Sequence, residues 1–159
     1  MKPSTGHLEA TWVKALVIDN GTTMFCFVTF DAIGADGTII KMAYDIAAEQ
    51  GLKVPFENVA LHGSHTHSGP AGITDEFLWE FAPAMDLVVP ELQSLAANSI
   101  AEAMLEAQKN LQPASMGIGV SLAGSRTVTC IVMFLQRDHT LSRTCRSRTA
   151  SWSHCQPPS

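Results

Sequence analysis

Trp12-Val13-Lys14-Ala15-Leu16-Val17-Ile18 and Thr23-Met24-Phe25-Cys26-Phe27-Val28-Thr29-Phe30 flank the turn Asp19-Asn20-Gly21, and this stretch decides the fold class. Both flanks are rich in β-branched and aromatic side chains, which suit a pleated, half-buried surface. Asn and Gly both tolerate positive φ, so Asn20-Gly21 predicts a hairpin and an antiparallel strand pair.

Downstream the period changes. Over 38–50, Ile39, Met42, Ala43 and Ile46 recur at helical spacing, and Gly51 follows as a left-handed C-cap. Pro55 then breaks the chain, and Val59-Ala60-Leu61-His62 begins a third strand. Strand, helix and strand with short links make a βαβ unit, so the third strand should run parallel to the second through a right-handed crossover. A second helix is expected over 90–111, with Pro90 in its first turn and Pro113 beyond its end. Its buried stripe is read as Leu92, Leu95, Ser99, Ala103, Ala107 and Leu111. Met116–Leu122 reads as a fourth strand. The expectation is an α/β fold: a mixed sheet with a βαβ unit and two main helices.

With 159 residues, 46% of them hydrophobic and 16% charged, the chain has the content of one globular domain. A net charge of −5 argues against nucleic acid as the partner, because phosphate binding calls for a basic face. No run approaches the ~20 apolar residues of a membrane span. Met1–Lys14 carries Glu9 and lacks the apolar core of a secretory signal, so the expectation is a soluble chain, with a cytoplasmic location open.

Charge is unevenly spread. Five lysines and fourteen acids precede residue 125, for a net of −9; five arginines and Asp138 follow it, for +4. Cys130, Cys145 and Cys155 also lie past the break. Residues 1–124 are therefore read as one region and 125–159 as a divergent tail. The tail is either a basic arm for an acidic partner or a membrane surface, or an alternative or frame-shifted end foreign to the domain, and the abrupt switch from Lys to Arg favours the second. Ile131–Leu135 is expected to form one short buried strand, and 138–159 to be poorly ordered.

Chemistry-bearing residues concentrate after the third strand, in Gly63-Ser64-His65-Thr66-His67-Ser68-Gly69-Pro70. Side chains two apart in extended backbone face the same way, so His65 and His67 should present two imidazoles to one point. Neutral imidazole is a common zinc ligand, and α/β folds place their sites at the carboxyl ends of strands. Ser68-Gly69-Pro70 then turns the chain. The same pair also fits an ordinary polar rim, since zinc asks for three or four protein ligands. Asp31, ending the second strand, is either a turn-capping residue or the acceptor that orients an imidazole.

The longer run Ser64-His65-Thr66-His67-Ser68-Gly69-Pro70-Ala71-Gly72 resembles the catalytic region of neutral/alkaline non-lysosomal ceramidases. Phe27-Val28-Thr29-Phe30-Asp31 and Pro55-Phe56-Glu57-Asn58-Val59 look similar to the same family, and the likeness covers about 12–124. The resemblance implies zinc-dependent hydrolysis of the ceramide amide to a sphingoid base and a fatty acid. It makes His65 a zinc ligand and His67 a polarising or orienting group beside the scissile amide, with Ser68, Gly69 and Pro70 as the site loop. The family's further histidine, glutamate and tyrosine ligands and its serine have no matching pattern after Gly124, so the domain is expected to be incomplete and the chain inactive alone. Two other readings stand beside this one. The chain is a non-catalytic lipid- or partner-binding protein, using the apolar run Phe77–Met85 or the basic tail. Alternatively, it is a different metallohydrolase whose missing ligands come from a partner chain.

Overall fold

The computed structural model describes residues 6, 9–75, 88–122 and 129–137, the stretch from 117 onward by its backbone. It divides into two compact units, Met1–Leu111 and Gln112–Ser159.

In the first unit, β1 (Val13–Asp19) and β2 (Met24–Phe30) pair antiparallel from Val13↔Phe30 to Asp19↔Met24. Local side chains build the turn between them. Asp19 Oδ1 accepts the Gly21 N–H at 2.8 Å, and Asn20 Oδ1 accepts those of Thr22 and Thr23 at 2.9 and 2.8 Å. Gly21 sits at φ +83°, which a side chain would resist. Helix α1 (Gly37–Glu49) starts from Asp36, whose Oδ1 accepts the Ile39 N–H at 2.7 Å, and it is followed by Gly51 at φ +96°. β3 (Val59–Gly63) lies parallel to β2, from Cys26↔Val59 to Phe30↔Gly63. The mixed sheet has the order β1-β2-β3, with α1 between its parallel strands as the sequence predicts.

β2 alternates strictly: Cys26, Val28 and Phe30 are buried, while Phe25, Phe27 and Thr29 face outward. The buried set meets Ile39, Ala43 and Ala47 of α1 and, from helix α2 (Pro90–Lys109), Ala97, Ile100, Ala101 and Met104. Helix α2 packs on α1 and β1. Gln108 near its end clamps the chain leaving α1, accepting the Lys53 N–H at 2.6 Å and donating to the Gly51 carbonyl at 3.1 Å.

The buried stripe of α2 differs from the one read in the sequence. Leu92, Leu95 and Leu111 are exposed, Leu95 by 63%, while Gln93, Ala97, Ile100, Ala101 and Met104 are buried. Hydropathy alone favours the leucines, yet four alanines (Ala43, Ala47, Ala97 and Ala101) are fully buried where α1 and α2 enter the core. Small side chains let the two helix backbones approach closely, which turns the leucines away. Buried Gln93 keeps its polar group satisfied by donating to the Ile73 carbonyl at 3.3 Å.

In the second unit, β4 (Ala114–Leu122) pairs antiparallel with β5 (Thr129–Arg137), from Ala114↔Arg137 to Leu122↔Thr129. The fourth strand thus begins two residues earlier than expected, and the run Ile131–Leu135 lies within β5. The expectations for Phe77–Met85 and for 138–159 fall outside the described residues.

Candidate functional site

β2 and β3 run parallel, so their carboxyl ends release two loops side by side, 31–36 and 64–70. The first turn is made by backbone: the Ser64 N–H donates to the Phe30 carbonyl at 2.9 Å, carrying the β2–β3 pairing one step past the strand. His65 then adopts φ +60°, in the left-handed region. That conformation costs a residue with a Cβ about 1–2 kcal/mol. Strain of this kind persists where the surroundings over-determine it, and it clusters at functional sites.

Two sets of contacts hold the kink. The imidazole of His65 is tied through Nδ1 to the Ile33 carbonyl at 2.8 Å. The loops also meet backbone to backbone. A Cβ on Gly63 would stand 2.9 Å from Gly34 Cα and 3.0 Å from the Ala32 oxygen, and one on Gly69 would stand 2.8 Å from the Asp31 oxygen. Both positions therefore need glycine for closeness, not for positive φ. Thr66 Oγ1 accepts the Ser68 N–H at 3.2 Å and closes the second loop.

His65 and His67 do converge, with Nε2 atoms 3.4 Å apart and rings crossing edge to face at 4.9 Å and 89°. Convergence arises differently from the strand alternation that the sequence suggests. β3 ends at Gly63, and the left-handed kink at His65 brings the rings together. A carbonyl only accepts, so Nδ1 of His65 carries the proton, and its Nε2 keeps a lone pair when the ring is neutral. The proton between the two rings then belongs to His67, whose Nε2–H donates. Both side chains are exposed.

Zinc–nitrogen bonds of about 2.0–2.1 Å at tetrahedral angles place two ligand atoms about 3.3 Å apart. The observed Nε2 separation of 3.4 Å is close to that value, but with the His67 Nε2–H donating, only His65 Nε2 offers a lone pair to a cation. Among the described residues no group of three or more His, Cys, Asp or Glu side chains is arranged to hold a metal ion, so these residues do not make a complete site.

Asp31 does not reach either ring. Its Oδ2 accepts the Trp12 N–H at 2.9 Å while its own N–H donates to the Trp12 carbonyl at 3.0 Å. That reciprocal pair extends the β1–β2 pairing past Val13↔Phe30 and anchors the start of the 31–36 loop. The orienting acceptor for His65 is the Ile33 carbonyl, a group every residue type carries, so side-chain identity could not have revealed it. Glycines in both loops were the legible sign that two backbones meet there.

Residues 2–126 match the neutral/alkaline non-lysosomal ceramidase family, N-terminal domain. The chain belongs to that family. No curated protein and no solved structure gives a match. The ceramidase match includes both histidines, the whole βαβ unit and β4, and it stops where the arginine-bearing segment begins. Membership relates the chain to enzymes that hydrolyse ceramide, and so to a lipid substrate. No helix among the described residues is long and apolar enough to cross a membrane.

Two hollows accompany this ceramidase-type unit. One, of about 290 Å³, adjoins the histidine loop through Asp31 and Pro70 and is walled by Trp12, Ile73, Leu92 and Leu95. Trp12 and Leu95 are each 63% exposed there. The other, of about 530 Å³, opens at the opposite end of the sheet beside Asp19, Met24, Lys53 and Lys109. No histidine, cysteine, serine or threonine is among the residues lining the larger one, so donor chemistry and not volume singles out the histidine loop as the candidate.

Proposed function

We propose that this chain carries the histidine half of a zinc-dependent amide-hydrolysing site for ceramide-type lipids. The supporting observation is the pair of Nε2 atoms 3.4 Å apart with the far nitrogen of His65 tied to a carbonyl. His65 would hold zinc through Nε2. His67, next to it, would orient or polarise the scissile amide, and Ser68-Gly69-Pro70 would shape the approach. A zinc ion there would polarise the amide carbonyl and ease nucleophilic attack near neutral pH.

The remaining ligands and the nucleophile of the family have no matching pattern in this sequence, and residues 125–159 read as a divergent segment. The chain alone is therefore expected to bind zinc weakly and not to turn over, since each missing ligand lowers affinity steeply. Zinc titration of the purified chain, beside hydrolysis of a fluorescent ceramide, tests this. Weak zinc binding that His65→Ala abolishes, with no hydrolysis, is the expected result. Turnover by the chain alone would overturn the incompleteness, and zinc binding untouched by His65→Ala would overturn the site.

A second reading, non-catalytic lipid binding, draws support from the exposed Trp12 and Leu95 beside the smaller hollow. Under it, lipid quenching of tryptophan fluorescence survives His65→Ala and fails in Leu95→Asp.

A further inference from the structure

The contacts around His65 form a chain that begins two elements away. At the start of β1, the backbone of Trp12 makes two hydrogen bonds to Asp31, one with its backbone N–H and one with its carboxylate. Asp31 opens the loop that carries Ile33, and the Ile33 carbonyl accepts from Nδ1 of His65 at 2.8 Å. The same loop is wedged between Gly63, whose missing Cβ would fall 2.9 Å from Gly34 Cα, and Gly69, whose missing Cβ would fall 2.8 Å from the Asp31 oxygen. A backbone gripped at three points has little freedom to shift, so the Ile33 oxygen is a fixed acceptor.

We infer that Asp31, Ile33 and Gly63 are positioning residues that set the tautomer of His65, holding its proton on Nδ1 and leaving on Nε2 a lone pair, which meets the His67 Nε2–H in this structure, for a ligand to take. The isolated histidine side chain favours the opposite tautomer, with the proton on Nε2, which would block that nitrogen as a metal ligand. Which nitrogen is available is decided by the hydrogen bond that the other one makes. Asp31 thus acts through the loop and not by touching an imidazole, and its carboxylate serves as an acceptor rather than as a charge. Asparagine retains that acceptor and alanine does not. The functional consequence rests on His65 being the ligand, but the tautomer itself needs no metal to be seen.

The test is long-range proton–nitrogen correlation on the 15N-labelled, metal-free full chain, read in spectra whose ring nitrogens report neutral imidazoles. His65 is expected to show a protonated Nδ1 and an unprotonated Nε2. Gly63→Ala forces a methyl against the Gly34 and Ala32 backbone and should return His65 to a mixture of tautomers. Asp31→Ala should do so partly, with Asp31→Asn restoring the wild-type pattern. Zinc affinity should fall about 10–100-fold in the first two variants and recover in the third, the range seen when groups that orient a ligand are removed. A purely structural role for these residues lowers the melting temperature and leaves the tautomer alone. If Gly63→Ala does not fold, the wild-type tautomer and the Asp31 pair decide. A protonated Nε2 on His65 in the wild type, or a tautomer unmoved by Asp31→Ala and by a folded Gly63→Ala, overturns the inference. Zinc failing to bind a wild-type chain that shows the stated tautomer refutes the hydrolytic reading and still supports the positioning frame.

Discussion

Gly69→Ala is the substitution whose cost can be worked most directly from the geometry. The new methyl would stand 2.8 Å from the Asp31 carbonyl oxygen and 3.0 Å from Thr66 Cγ2, where ordinary contact begins at 3.4 Å. The larger shortfall, about 0.6 Å, falls on the Asp31 carbonyl, a main-chain group that cannot swing aside as a side-chain tip can. Overpacking of this kind costs about 1–3 kcal/mol. Two other glycines separate the causes. A Cβ at Gly21 meets nothing within 4 Å, but φ is +83°, so Gly21→Ala pays only the left-handed penalty of about 1 kcal/mol. A Cβ at Gly37 also meets nothing within 4 Å, and its φ is not positive, so Gly37→Ala at the start of α1 should be neutral or stabilising by about 0.4–1 kcal/mol. Urea unfolding followed by far-ultraviolet circular dichroism reads all three. With m near 1–3 kcal/mol/M, Gly69→Ala should lower the midpoint by about 1 M, Gly21→Ala by less, and Gly37→Ala not at all. A Gly69→Ala chain as stable as the wild type would refute the tight packing of the two loops, and with it the frame around His65.

The corrected face of α2 predicts that Ile100→Ala and Met104→Ala each cost about 2–5 kcal/mol, while Leu95→Ala stays within about 0.5 kcal/mol, as thermal unfolding would show. A reversed order would restore the leucine stripe. Asp36→Ala should cost about 1 kcal/mol through loss of the cap to Ile39, whereas Asp36→Ser keeps an acceptor and also removes Oδ2, a buried oxygen without a hydrogen-bond partner, so it should be close to neutral by chemical denaturation. Burial pushes the Cys26 thiol up to about 11 from 9.0. It should therefore resist alkylation near neutral pH, read by site-resolved mass spectrometry, until the fold opens. Because the unfolded thiol ionises first, the contribution of Cys26 to stability should be intact below about pH 9 and decline as pH rises toward 11, and Cys26→Ala should remove that decline.

Much of this fold was legible because its signals are local. Asn20-Gly21, the helical spacing from Ile39, Gly51 and Pro90 each constrain their own few residues, and those constraints agree with one another. The link from β2 through α1 to β3 allows a parallel pair, and the parallel pair puts the histidine loop beside the loop that begins at Asp31. The resemblance carried by His65-Thr66-His67-Ser68-Gly69-Pro70 was legible for the same reason, being a contiguous run.

What the sequence determined by itself, then, was the order and kind of the elements, the family and the two imidazoles. Only the tertiary structure decided which face of α2 is buried, because that depends on how closely the alanines let α1 approach. It alone shows that Asp31 serves Trp12 and that Ile33 serves His65. In each pairing one partner is a backbone group common to all residues, so the choice of partner is a matter of where the chain segments come to lie. The meeting of the imidazoles also belongs to the tertiary structure, since it runs through a left-handed residue that the contact between those loops holds in place.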